Sequence, residues 1–193
     1  MLRTLALFLF LAFVPFAGAM AAPQAYALDS DASRVGFAVP FGPDTITGEI
    51  PVQSAEIELD FASPMNSRIS VVLDVNSARA NFPFATQALK GPKVLAAEEY
   101  PTISFQSRDI AVSSQDSSQA TLIGDITIRE VTRPITFSVG LFRPAGQPKG
   151  ERSRLIVRIQ GELSRAAHGA DGWSDLVGDT VTLDLDLFID VAG

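Results

Sequence analysis

The chain contains no cysteine and a single histidine. The first absence excludes disulfides, thiolate metal sites, thiol catalysis and a lipid-modified N-terminal cysteine. The second excludes a multi-histidine metal site. Positive charge is also short: 15 Lys and Arg stand against 22 Asp and Glu, a formal charge of −7. The one local basic cluster, between Lys149 and Arg158, is interrupted by Glu151 and by apolar residues. Such a chain repels phosphate backbones, so nucleic acid is not an expected partner. There is no Gly-x-Ser-x-Gly elbow, no Gly-rich phosphate loop and no Asp-x-Asp-x-Asp-Gly calcium loop. Internal repeats and long linkers are missing as well, which suits one domain.

Residues 1–21 stand apart. Arg3 supplies a basic start, Leu5 to Ala17 is an apolar run with Pro15 near its end, and Ala19-Met20-Ala21 has a small-x-small pattern. This is the form of a signal peptide, expected to be cut after Ala21, with Ala19 and Ala22 as alternative cut positions. The apolar run falls short of the ~20 residues of a membrane span. Residues 22–193 then form the mature domain, large enough for a sizeable core. Removing Arg3 takes the formal charge from −7 to −8. An exported, acidic, cysteine-free domain fits a bacterial periplasm.

What is abundant is alternation. Val35, Phe37 and Val39 alternate with Gly36 and Ala38, and Ile57, Leu59 and Phe61 with Glu58 and Asp60. Ile69 to Val75, Ile103 with Phe105, Leu122 to Ile128, Ile135 to Val139, Leu155 to Leu163 and Val181 to Val191 continue the pattern. About eight strands at hairpin spacing indicate a mainly β chain, an antiparallel barrel or sandwich. Turns are expected at Phe41–Asp44, Ser63–Asn66, Ser113–Ser118 and Pro144–Gly150. Gly140, Gly161 and Gly178 suit bulges or tight bends. The aspartates at 184, 186 and 190 lie opposite an apolar face and suit a solubilising edge strand.

One segment breaks the pattern. Asn81 to Glu99 reads as two short helices, with Asn81 as N-cap, Pro83 in the first turn and Gly91-Pro92 between the pieces. Tyr100-Pro101 marks the corner where the chain returns to a strand. Phe37, Phe41, Phe82, Phe84 and Phe105 gather at one end of the expected sheet. An eight-stranded barrel is either filled by its side chains or holds one small ligand, and periodicity leaves both open. Catalytic groups are few. His168 lies in the loop-like run Ser164–Trp173 with nothing to orient it. Glu98 and Glu99 are neighbours that point apart on a helix.

Tyr26-x-Leu-Asp29 with Ser33-Arg-Val-Gly-Phe-Ala-Val39 resembles the opening of the YceI-like family, lipocalin-like polyisoprenoid-binding proteins. Asn81 to Phe105, ending Glu-Tyr-Pro-Thr-Ile-Ser-Phe, is similar to that family's helical insert and following strand. Gly124-Asp-Ile-Thr-Ile-Arg-Glu-Val-Thr-Arg-Pro134 resembles its central block. Leu163-Ser-Arg-Ala-Ala-His-Gly169 and Val177-Gly-Asp-x-Val181 resemble its closing loop and strand. The chain departs at Ala32, where a His is common, at Glu130, where a Gly is usual, and at His168, which stands in place of an aromatic.

The resemblance implies an extended eight-stranded antiparallel lipocalin-like barrel with a short helical insert. It implies an elongated apolar cavity for one long-chain isoprenoid or similar amphiphile, and a non-enzymatic role in binding, transport or storage, often in the periplasm. Strand residues Phe37, Val39, Phe41, Ile103, Phe105 and Ile126 would line this cavity, with Phe137, Val157, Leu183 and Leu185. The insert would add Phe82, Phe84, Leu89 and Leu95. Tyr100, Arg165, His168 and Trp173 are candidates at the mouth, where polar groups would orient a headgroup. No catalytic residue, metal ligand or cofactor is assigned; an isoprenoid or quinone-like lipid would be bound as ligand. Transient contact with a membrane or membrane protein fits this reading, and dimers occur in the family. Two alternatives stand beside it: a filled-barrel interaction module that partners a membrane protein, and a lipid hydrolase using His168.

Overall fold

The computed structural model describes residues 22–193, so the leader expected at 1–21 lies outside the described residues. The elements run β1 (Gln24–Leu28), β2 (Arg34–Phe41), β3 (Asp44–Glu49), β4 (Val52–Leu59), β5 (Arg68–Asp74), β6 (Arg79–Ala80) and α1 (Pro83–Lys90). They continue as β7 (Thr102–Val112), β8 (Gln119–Ile128), β9 (Val131–Phe142), β10 (Arg154–Ser164) and β11 (Thr180–Val191). All pairings are antiparallel.

These segments occupy eight positions around a closed barrel. Three positions are filled by two segments laid end to end. β1 and β2 share one edge of β11, Leu28 pairing with Ile189 and Arg34 with Asp186. β3 and β4 make the next wall, pairing with β2 and β1 respectively, and β6 and β5 the third. Each break has a local cause. At 29–33 the Asp29 carboxylate turns back to accept from the Ala32 amide at 3.1 Å, and Arg154 clamps it at 2.6 Å. At Ile50-Pro51 the proline has no amide to offer a neighbour; the Ile50 amide instead donates to Val35 and the Pro51 carbonyl accepts from Asp74. At 75–78 the Val75 amide leaves the ladder and donates to the Pro101 carbonyl. The short strands β1, β3 and β6 were not expected as separate elements; the eight-position antiparallel barrel was.

The insert differs from expectation. Its first part is helical, but Phe82 rather than Asn81 is the N-cap, and the Asn81 side chain donates to the Thr45 carbonyl instead. The second expected helix is absent among the described residues. Residues 91–99 form consecutive turns in which the Ala96 and Ala97 amides reach back to Gly91 and Lys90, with Ala96 at φ 49°. Leu95, Ala96 and Ala97 are buried by this folding.

The aspartate row of β11 also reads differently. β11 is not an edge, because it pairs along both sides. Asp186 and Asp190 stand opposite Arg158 and Arg154 across the ladder and pair with them at 3.3 and 3.2 Å. These are cross-strand ion pairs on the outer wall.

The insert, the β2–β3 turn, the β8–β9 turn and residues 165–179 all lie at one end of the barrel, hereafter the mouth. The β8–β9 turn has two residues, Arg129 and Glu130, both left-handed at φ 50° and 65°. That is the hairpin geometry that favours Asn-Gly, and a side chain there costs about 1–2 kcal/mol per residue. Glu130→Gly is therefore expected to raise the free energy of unfolding by about 1 kcal/mol. Urea denaturation checks it, and an unchanged or lower midpoint counts against the strain.

Candidate functional site

Period-two alternation turns one row of each strand inward, and where those rows line the lumen they are almost entirely apolar. The rows enclose a continuous cavity of about 1150 Å³ running from the mouth to the far end of the barrel. It is large for a small-molecule site, where about 300–1,000 Å³ is usual. Strands of about 11 residues at ~3.3 Å each, tilted by ~40°, give it an axial length of roughly 28 Å.

The cavity stays open because large rings lie against the wall rather than across the lumen. Phe37 lies over Gly48, Phe105 over Gly124 and Phe137 over Gly161, each on the neighbouring strand. A Cβ at Gly124 would sit 2.5 Å from Phe105 Cε2, and one at Gly161 2.5 Å from Phe137 Cδ1. Glycine is what allows those rings to lie flat. Phe105 and Phe137 then meet edge to face at 5.5 Å. Gly140 and Gly161 sit in regular register, so they provide room for rings and not the bulges expected of them.

All the strand residues proposed for the lining border this cavity: Phe37, Val39, Phe41, Ile103, Phe105, Ile126, Phe137, Val157, Leu183 and Leu185. The insert brings Phe82, Phe84, Leu89 and Leu95 to its mouth end. Sequence reasoning missed the far end. There Leu28, Leu59, Phe61 and Leu141 continue the lining, and the Arg152 guanidinium lies 3.9 Å from the Phe61 ring centroid. The usable signal was alternation carried to the very ends of the strands. Tyr26 packs edge-on against Phe61 and donates its hydroxyl to the Arg152 carbonyl at 2.9 Å. Burial pushes that phenol above its ordinary pKa, partly offset by Arg152.

The mouth corrects two of the sequence-based assignments. Tyr100 is outside the cavity wall. Its ring lies 5.8 Å from the Arg129 guanidinium and its hydroxyl donates to Glu99 at 2.9 Å, which raises the phenol's pKa. Pro101 turns the chain so that Ile103, not Tyr100, is the first inward side chain of β7. Arg165 borders the cavity, but its guanidinium is committed elsewhere. Nε donates to Gly178, Nη1 to Ala170 and Gly172, and Nη2 to Val177, all backbone carbonyls at 2.5–2.8 Å. The planar fork folds the segment 165–178 around itself. It acts as a structural hub in place of the headgroup contact expected.

His168 and Trp173 do border the cavity. His168 ends a short turn over Ala166–His168, closed by left-handed Gly169 at φ 71°. It is 3 % exposed. Nδ1 lies 3.1 Å from the Ser164 carbonyl, which can only accept, so Nδ1 carries the ring proton. Nε2 is buried with no hydrogen-bond partner among the described residues. A buried acceptor left unpaired costs about 1–3 kcal/mol. Among the described residues no hydroxyl reaches Nε2 and no carboxylate holds Nδ1, so they do not assemble the geometry of a nucleophilic triad. Among the described residues, no three His, Cys, Asp or Glu side chains gather as a metal site.

A family model described as YceI-like domain matches residues 26–189. A curated relative, a UPF0312 protein of Vibrio campbellii, is 25 % identical over 146 residues, covering 75 % of this chain and 73 % of its own length. BcnA of Burkholderia cenocepacia superposes with a TM-score of 0.74 at 19 % identity, over 84 % of this chain and 99 % of its own. A domain from Saccharophagus degradans, described as polyisoprenoid binding, superposes with a TM-score of 0.63 at 15 % identity, over 88 % of this chain and 99 % of its own. At these identities the two structures carry the fold alone.

If Arg165 is the hub of the mouth segment, Arg165→Met leaves four buried or half-buried carbonyls without donors. The expected loss is about 3 kcal/mol or more of unfolding free energy. Arg165→Lys should recover only part of it, because one ammonium cannot reach carbonyls spread around a fork. Urea unfolding together with limited proteolysis of 166–178 reads both effects; a Met variant as stable and as protease-resistant as the parent counts against the hub.

Proposed function

Because this chain belongs to the YceI-like domain family, we propose that it is a periplasmic binding and carrier protein for a long-chain isoprenoid or similar amphiphilic lipid. The observation that carries this reading is the continuous apolar cavity of about 1150 Å³ along the barrel. A filled barrel would serve an interaction module equally well, but a lumen of that volume serves only something that enters it. Each methylene buried there contributes about 0.8 kcal/mol before association costs. The tail therefore supplies most of the affinity, and the mouth only orients the head. The S. degradans domain, described as polyisoprenoid binding, lends the isoprenoid class its support.

The mouth suits exchange with a membrane. Phe84, Leu176 and Trp173 border it and remain 69 %, 58 % and 42 % exposed. Exposed large apolar side chains around a lipid-sized opening match a lip that touches acyl chains while a ligand passes. A binding role is also favoured over hydrolysis by His168, whose Nε2 meets no nucleophile among the described residues.

Protein exported to a periplasm and purified without detergent should carry a long-chain lipid at close to one per chain in native mass spectra. Val71→Trp with Leu185→Trp places two indoles in the lumen, which both positions line. That variant should stay folded, losing no more than about 1–3 kcal/mol, and should carry no lipid. Parent protein without lipid, or a double variant that retains it at the same stoichiometry, would sink the reading.

A further inference from the structure

At the mouth one buried side-chain atom, His168 Nε2, has no hydrogen-bond partner among the described residues. His168 borders the cavity, is 3 % exposed, and leaves Nε2 buried without a partner among the described residues. Its tautomer is set from the other side of the ring, where Nδ1–H donates to the Ser164 carbonyl. In the neutral imidazole with the proton on Nδ1, Nε2 is a lone-pair acceptor. Next to it, Arg165 directs its donors onto four backbone carbonyls. The histidine thus offers a ligand one acceptor, while the nearest cation has four of its five N–H groups taken by backbone carbonyls.

We propose that His168 selects ligands whose polar end carries a hydroxyl, through a hydrogen bond from that hydroxyl to Nε2. The class is long-chain isoprenoid alcohols and hydroxylated rings, in preference to ethers, esters or quinone-type carbonyls with the same tail. The latter present only acceptors and would set a lone pair against a lone pair. This rests on the lipid-binding reading above and narrows it from a tail class to a headgroup class.

The test uses a matched pair of probes, geranylgeraniol and its methyl ether, which share a tail and differ in the donor. Trp173 is the only tryptophan, and it borders the mouth, so its fluorescence reports binding. The parent protein should bind the alcohol about fivefold more tightly than the ether, the worth of one net hydrogen bond. His168→Phe keeps a ring and removes the acceptor. It should bind both probes with equal affinity, within about twofold of the parent's affinity for the ether. His168 is also the only histidine, so its Nε2 resonance in ¹⁵N spectra is unambiguous and should move with the alcohol and not with the ether. That measurement needs no variant and stands if His168→Phe folds poorly. Equal binding of the two probes by the parent, or an Nε2 resonance that ignores the alcohol, overturns the headgroup proposal and leaves lipid binding intact. Failure of both probes to bind the parent overturns both.

Discussion

The structure depends on closure of the sheet at β11. This strand has two edges to satisfy, and β10 takes one along its whole length. The other is divided between β1 and β2, with a turn between them held by Asp29 against Arg154. Sharing the edge leaves no long row of unpaired backbone groups, which is the liability of open sheets. It also makes a lumen unavoidable, because eight strands that close in register enclose an interior whether or not side chains fill it. Fold and enclosed interior are thus consequences of the same pairing.

Whether the interior fills is decided by a second constraint, the match between rings and glycines. Phe37, Phe105 and Phe137 could each cross the lumen. Each instead lies over a glycine of the adjacent strand, where any Cβ would collide with it. The aromatic area is spent on the wall, and the axis remains free for a guest. Aliphatic residues such as Val71, Val157 and Leu185 contribute to the rest of the lining. The two ends are treated differently: at the far end the Arg152 guanidinium lies against Phe61, while the mouth carries the insert and the segment folded around Arg165.

The wall was legible in the sequence because its signal is local. Val181, Leu183, Leu185, Leu187, Ile189 and Val191 alternate over enough residues to give a strand and its inner face without any partner being known. β3 and β6 were not legible, since Asp44–Glu49 and Arg79–Ala80 hold too few apolar residues to show a period. Leu95-Ala-Ala-Glu-Glu99 misled for the opposite reason: its residues favour helix, but their amides are claimed by Leu89, Lys90, Gly91 and Ala96 in a set of turns. Propensity lost to tertiary hydrogen bonds. The openness of the barrel was out of reach, because it depends on which glycine a given phenylalanine faces, and that is a matter of register between strands.

The mouth carries the same lesson into function. Arg165 and His168 look alike in sequence, two polar residues three apart in a loop beside an apolar barrel. Backbone carbonyls, which leave no trace in a sequence, separate them. Four carbonyls absorb the arginine and turn a headgroup candidate into scaffold. One carbonyl binds the histidine at Nδ1 and, in the neutral ring, leaves Nε2 an acceptor with no partner among the described residues. The two are coupled, because the turn that buries His168 is part of the segment that Arg165 folds. His168 donates to Ser164, its own amide donates to the Arg165 carbonyl, and the chain returns through Asp179, whose carboxylate accepts the Ala166 amide at 2.8 Å. A backbone cage around one nitrogen without a partner among the described residues is the arrangement that the headgroup proposal requires of the mouth.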